Sequence, residues 1–243
     1  MEAGGPVIPV PLAAFGLFGE AFNFVFSGTE AQTGGVTVGG PEQVLDLAAR
    51  QLEVTLFALG VAIFLALPVG LWLGHRQKGE FLAVSAGNAG RAIPELALIA
   101  LMAAAIGVGM VNLVVALAIL GIPPILTNTY VGISQVDRAS VEAARGMGMT
   151  ELAIVRKVEL PLAVPTIMGG VRTAAINIIA TATIAPLAGI LTLGDFIIAR
   201  NVYGDAGVLA GAVLVAMMAL ALEASLAGIQ WAMTSKGLKL ERS

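Results

Sequence analysis

Polar side chains that could do chemistry stand inside otherwise apolar runs: Arg91 and Glu95, then Arg172 and Asn177, then Glu223. Charges at bilayer depth are costly and mark ion pairs, proton carriers or the walls of a path. Arg91 and Glu95 are four residues apart and are expected to share a helix face as a self-neutralising pair, or to line a translocation path or gate. Asn177 can bond across helices or line the same path. Arg172 is expected to snorkel towards the interface, and Glu223 to face protein or water. Nucleophile and metal chemistry find little support. The chain has no cysteine and a single histidine, His75, which reads as a solvated residue in a turn.

A second polar feature is continuous. EAARGMGMTELAIVRKVELP, residues 142–161, separates two long apolar stretches. Asp137 is placed to cap a helix from Arg138 to Met147, and Gly148 to end it in the left-handed conformation. Thr150 can cap a second helix through about Val158, which Pro161 is expected to stop. The product is a hairpin over 137–161, too short and too polar to insert. Ala139, Val141, Ala143, Ala144 and Met147 are available for a partner's groove, with Glu142 and Arg145 to fix register. Gly146 and Gly148 do not make a phosphate loop, because the rest of GxGxxG is missing. A P-loop needs a Gly-Lys pair that the chain lacks, so ATP is not expected to be bound here.

These features need a membrane scaffold to position them. The 243 residues are 58% hydrophobic and 12% charged, with a mean hydropathy of +0.92; soluble domains carry about 25% charged residues. Runs of about 20 apolar residues predict five core spans: 52–74 with Pro68 inside, 81–106 interrupted at Asn88, Arg91, Pro94 and Glu95, 110–132 broken at Pro123 and Pro124, 164–191, and 207–233. Residues 6–27 are a sixth span or, preferably, a helix on the outer surface. They lack a signal peptide's basic flank. The Met217–Met218 pair is expected in the core.

Orientation follows from the basic loops. Arg76 and Lys78, Arg138, Arg145, Arg156 and Lys157, and Lys236, Lys239 and Arg242 fall on one side. Arg50 and Arg200 fall on the other. The first group is expected to be cytoplasmic, with the C-terminus on that side. The chain then divides into an N-terminal helix and exterior loop (1–50), a transmembrane domain (51–236) and a cytoplasmic tail (237–243).

The spacing Glu142-Ala143-Ala144, three positions, Gly148, nine positions, Val158, one position, Leu160-Pro161 resembles the EAA motif of bacterial ABC-importer permeases. With RAIPELALIAL (91–101), PPILTNTYVGI (123–133), VELPLAVPTIMGGVR (158–172) and LGDFI (193–197), the chain looks closest to the osmoprotectant group, which imports glycine betaine, carnitine, choline or proline betaine. The resemblance implies an all-α integral membrane protein of the type I ABC-importer permease fold. It implies a multi-pass subunit of the bacterial plasma (inner) membrane that works with a second permease, identical or homologous. It implies a cytoplasmic ABC ATPase dimer that holds ATP and magnesium and docks at Glu142, Ala143, Ala144, Arg145, Gly148, Val158, Leu160 and Pro161. An extracytoplasmic binding protein would deliver the solute; no nucleic acid is implied. Glu95 stands where such permeases more often have a small hydroxyl residue, and the loop before Leu193 lacks their extra glycine. A permease for another solute such as methionine, an ion-coupled secondary transporter and a non-transporting scaffold remain alternatives.

Overall fold

The computed structural model describes residues 10–81, 85, 87, 90 and 92–234, with side chains from residue 16 onward. Its order is α1 (Val10–Phe26), a two-stranded antiparallel ribbon β1 (Thr29–Glu30) and β2 (Thr37–Val38), α2 (Gly40–Arg76), α3 (Glu95–Ile106), α4 (Met110–Ser134), α5 (Arg138–Gly146) and α6 (Glu151–Ile154). A π turn (Val155–Glu159), α7 (Leu160–Thr181), a 3-10 segment (Ala182–Ala188), α8 (Gly194–Ile198) and α9 (Arg200–Met233) complete it. Among the described residues four helical stretches are long and apolar enough to cross a membrane: 40–76, 110–134, 151–188 and 200–233. Asn88, Arg91, Lys236 and the tail 237–243, with its two basic residues, lie outside the described residues.

The packing of α2, α4 and α7 forms the centre. Ala58, Ala62, Ala66, Gly70 and Gly74 recur every four residues on α2 and are all buried. A Cβ at Gly70 would lie 2.6 Å from the Thr129 Cβ, and one at Gly74 2.7 Å from the Ile133 Cβ. Without a hydrophobic effect between helices in lipid, such small-residue stripes gain stability by close backbone approach and dispersion. This stripe is in the sequence but is not obvious there, because alanine also populates lipid-facing positions.

Prolines behave differently from expectation. The helix α4 is not broken at Pro123 and Pro124 but runs through them. Membrane helices tolerate proline where neighbours compensate. Here glycines make room for the bent segment: a Cβ at Gly90 would lie 2.5 Å from the Pro123 ring and one at Gly170 2.6 Å from the Pro124 carbonyl, which also accepts from the Asn128 side-chain amide at 2.8 Å. Nor does Pro161 stop a helix. The chain is helical from Glu151 to Thr181, with Pro161 in the first turn of α7. The π turn just before it carries the Leu160 N–H to the Val155 carbonyl, five residues back, and wide turns of this kind keep a helix going past a local misfit. The second predicted span is interrupted at Ile93–Pro94, after which α3 begins.

At the other end, Phe24, Phe196 and Tyr203 form an edge-on aromatic cluster. Tyr203 donates to Asp195 at 2.6 Å. The groove between α1 and α9 is lined by Phe18, Phe22 and Phe26 on one side and Leu209, Val213 and Met217 on the other. At 17 residues α1 is apolar but shorter than the four candidate spans, and it packs along α9. Met217 is 61% exposed, so of the methionine pair only Met218 packs against a core cluster.

Candidate functional site

The polar hairpin is built by local capping. Asp137 accepts from the Ala139 and Ser140 N–H groups at 3.3 and 3.1 Å and from the Ser140 hydroxyl at 3.0 Å. Those bonds, the hydroxyl's first, hold the Asp137 carboxyl below the usual range. The first arm ends in a Schellman motif: the Met149 N–H donates to Ala144 O and the Gly148 N–H to Arg145 O, with Gly148 at φ +81°. Thr150 accepts from the Ala153 N–H and opens the second arm.

Inside the hairpin, Val136, Val141, Ala144 and Ile154 form a small core with Met149 and Val158 against it. Val141 and Ala144 are thus spent on the hairpin itself and are not available to a partner, contrary to expectation. Val158 is likewise half-buried, and Leu160 packs beside Leu67, Leu71 and Ile133. With Pro161, these residues join the hairpin to the spans and do not form its outer face. The outward surface holds Ala139, Glu142, Ala143, Arg145 and Met147, the last 76% exposed. Leu152, 67% exposed, belongs to it too and was not anticipated, because its spacing reads equally well as core.

Arg145 faces outward but is engaged. Its Nε and Nη2 donate to Glu151 Oε1 and Oε2 at 3.0 and 2.9 Å, and the Glu151 carboxylate keeps the guanidinium proton bound more tightly than usual. His75 is not the solvated turn residue expected of it. It ends α2 with Nδ1 at 2.8 Å from Glu159 and Nε2 at 3.1 Å from Glu151. Sequence reading missed this contact because the partners lie 84 residues away from His75 in the case of Glu159.

The membrane-depth residues gather elsewhere. A cavity of about 340 Å³ is lined by Glu95, Thr127, Asn128, Thr173 and Asn177, with Gly87 and Gly90 against it. Glu95 stands at the start of α3, where the helix dipole favours an anion, and its Oε2 accepts from the Thr181 hydroxyl at 2.8 Å. The backbone breaks at Ile93–Pro94, just ahead of Glu95, and Arg91 lies outside the described residues. Arg172 does not snorkel freely. It pairs with Glu223 and donates to Gln230 Oε1 at 2.9 Å, joining α7 to α9.

A polar hairpin on a bundle of apolar spans, with a separate polar cavity inside the bundle, is the organisation of a membrane translocator driven from outside itself. Residues 62–233 match the family described as the inner membrane component of binding-protein-dependent transport systems, and the chain belongs to that family. It is therefore a multi-pass inner-membrane permease component. The glycine betaine/carnitine/choline transport permease of Bacillus subtilis strain 168 is 37% identical over 204 residues, 84% of this chain and 93% of that protein. The carnitine transport permease of Listeria monocytogenes is 34% identical over 194 residues, 79% and 89% of the two. The osmoprotectant import permease of Salmonella typhimurium strain LT2 is 34% identical over 187 residues, 76% and 79%. An inward-facing methionine ABC transporter matches with a TM-score of 0.68 at 22% identity, over 79% of this chain and 96% of that one; at that identity the likeness is one of fold.

Proposed function

We propose that the chain is the translocating subunit of an ATP-driven importer for a compatible solute such as glycine betaine, carnitine or choline. The observation that carries this reading is the identity to osmoprotectant permeases over most of both chains. Energy enters at the hairpin: a cytoplasmic ABC ATPase, carrying ATP and magnesium, docks on the face presented by Glu142, Ala143, Arg145 and Met147, and Gly148 sets the bend. A second permease, identical or homologous, completes the path, an extracytoplasmic binding protein supplies the solute, and the C-terminus is cytoplasmic.

Glu95, Asn177 and their neighbours line this subunit's share of the path. Among the described residues the wall is polar and carries no aromatic ring. It can solvate a passing solute without gripping a quaternary ammonium by cation–π attraction, which leaves tight selection to the binding protein. Reconstituted with ATPase and binding protein, the complex is expected to take up betaine, choline or carnitine only with ATP. Glu142→Lys and Gly148→Asp are expected to abolish that uptake with normal permease abundance. Uptake of methionine with none of the quaternary amines would overturn the cargo, and normal uptake in both variants the docking.

A further inference from the structure

The least expected junction in the molecule is where the cytoplasmic end of α2 meets the second arm of the hairpin. Glu159 is buried there, its side chain 5% exposed, and its hydrogen-bond partner is His75. A buried carboxylate without a partner is strongly unfavourable. The other ring nitrogen faces Glu151, which Arg145 holds through two hydrogen bonds. Among the described residues the groups facing the imidazole are thus Glu159 on the π turn and Glu151 on α6, with Arg145 of α5 behind Glu151. On its own helix, Arg76 lies over the Trp72 ring.

A neutral imidazole has one N–H and one lone pair. With Nδ1–H given to Glu159, the Nε2 lone pair would face a carboxylate oxygen at 3.1 Å, and two acceptors repel. The pair with Arg145 keeps Glu151 ionised. Both contacts are satisfied together only while the ring and the buried Glu159 carboxyl hold two protons between them, whichever of the two carries the second. We infer that His75 is a positioning residue: while it and Glu159 hold that second proton it latches the second arm of the hairpin to the first span, and the latch opens when the pair gives the proton up. Through Glu151 the same latch reaches Arg145, so it sets the outward face on which the driving partner pushes. This inference rests on the docking reading above for its consequence, but not for the latch itself.

The latch is tested on the permease in lipid nanodiscs by amide hydrogen exchange over residues 151–159, corrected for intrinsic rate. In the wild type, protection is expected to fall about tenfold from about pH 6 to about pH 8.5, the scale of losing one charged hydrogen bond. His75→Arg, which keeps its charge and can reach both carboxylates, is expected to hold protection at both values. His75→Ala is expected to be low at both. Protection that is flat in the wild type, that falls equally in His75→Arg, or that survives in His75→Ala overturns the proposal.

The consequence is read in the reconstituted transporter as solute moved per ATP hydrolysed. That ratio is expected to fall with rising pH in the wild type and to stay level in His75→Arg. A ratio that falls alike in both overturns the positioning role. A normal ratio in Glu142→Lys would instead defeat the docking reading, while hydrogen exchange still decides the latch.

Discussion

Arg145 and Glu151 stand six residues apart and close the hairpin across Gly148 by a two-point ion pair, at 3.0 and 2.9 Å. Both are well exposed, so the pair is worth little as a stabiliser of the fold. Its value is geometric, because a planar guanidinium on a carboxylate fixes the angle between the two arms. Arg145→Glu and Glu151→Arg are each expected to lower ATP-coupled uptake severalfold, with the double exchange recovering part of it. Uptake assays at matched abundance check this; singles and double that fall equally would remove the pair from the mechanism.

The cap at Asp137 gives a pH dependence with a definite sign. Its carboxyl titrates below the unfolded value, so its contribution to the hairpin is complete above the usual carboxylate range. It is lost as pH falls through the lower, folded value. Protease sensitivity of the hairpin is expected to rise in acid in the wild type. Asp137→Asn, which still caps, is expected to lose that acid step.

Gly70 and Gly60 lie on the same helix with opposite surroundings. A Cβ at Gly70 meets Thr129 at 2.6 Å, while nothing lies within 4 Å of one at Gly60. Gly70→Ala is expected to cost about 1–3 kcal/mol by overpacking, and Gly60→Ala to be neutral or to stabilise by up to about 1 kcal/mol through helix propensity. Thermal unfolding in detergent distinguishes them.

Removing one member of the pair between Arg172 and Glu223 leaves a charge in the bundle with its partner gone. Glu223→Ala is therefore expected to destabilise more than the double replacement Arg172→Met with Glu223→Met. Equal loss in the two would mean that packing, not charge, matters at this junction. Thermal unfolding of the two variants beside the wild type measures it.

Glu95→Gln keeps the size of the side chain, and its amide oxygen can still accept from Thr181 while the charge is lost. It is expected to slow uptake of the solute with little change in abundance. Thr181→Val, which removes only the donor, is expected to have the smaller effect. Initial uptake rates at saturating binding protein decide the order.

Much of the hairpin was legible because its devices are local. Asp137, Gly148 and Thr150 do their work within a few residues, and the caps fall where their side chains demand. The membrane spans were legible from composition, closely for 110–132 and 207–233, whereas the helices around the first and fourth spans begin more than three turns before the apolar runs that marked them. What escaped has partners distant in sequence. His75 looks like a turn residue until Glu159 is brought beside it, and Val141 and Ala144 look like contact surface until Ile154 covers them. Pro161 and Pro123 look like stops because proline's cost is intrinsic, whereas its relief comes from a wide turn or from a neighbouring glycine.

The wide turn at 155–159 also sets a phase. One residue more than an α-helical turn rotates everything after it by about 100° relative to an uninterrupted helix. Thr173 and Asn177 line the cavity on one side of that offset, while Arg156 and Lys157, within it, face outward. Deleting one residue there would leave both ends of the rod folded and point its polar stripe away from the cavity. The drive and the path would each be intact, and out of step.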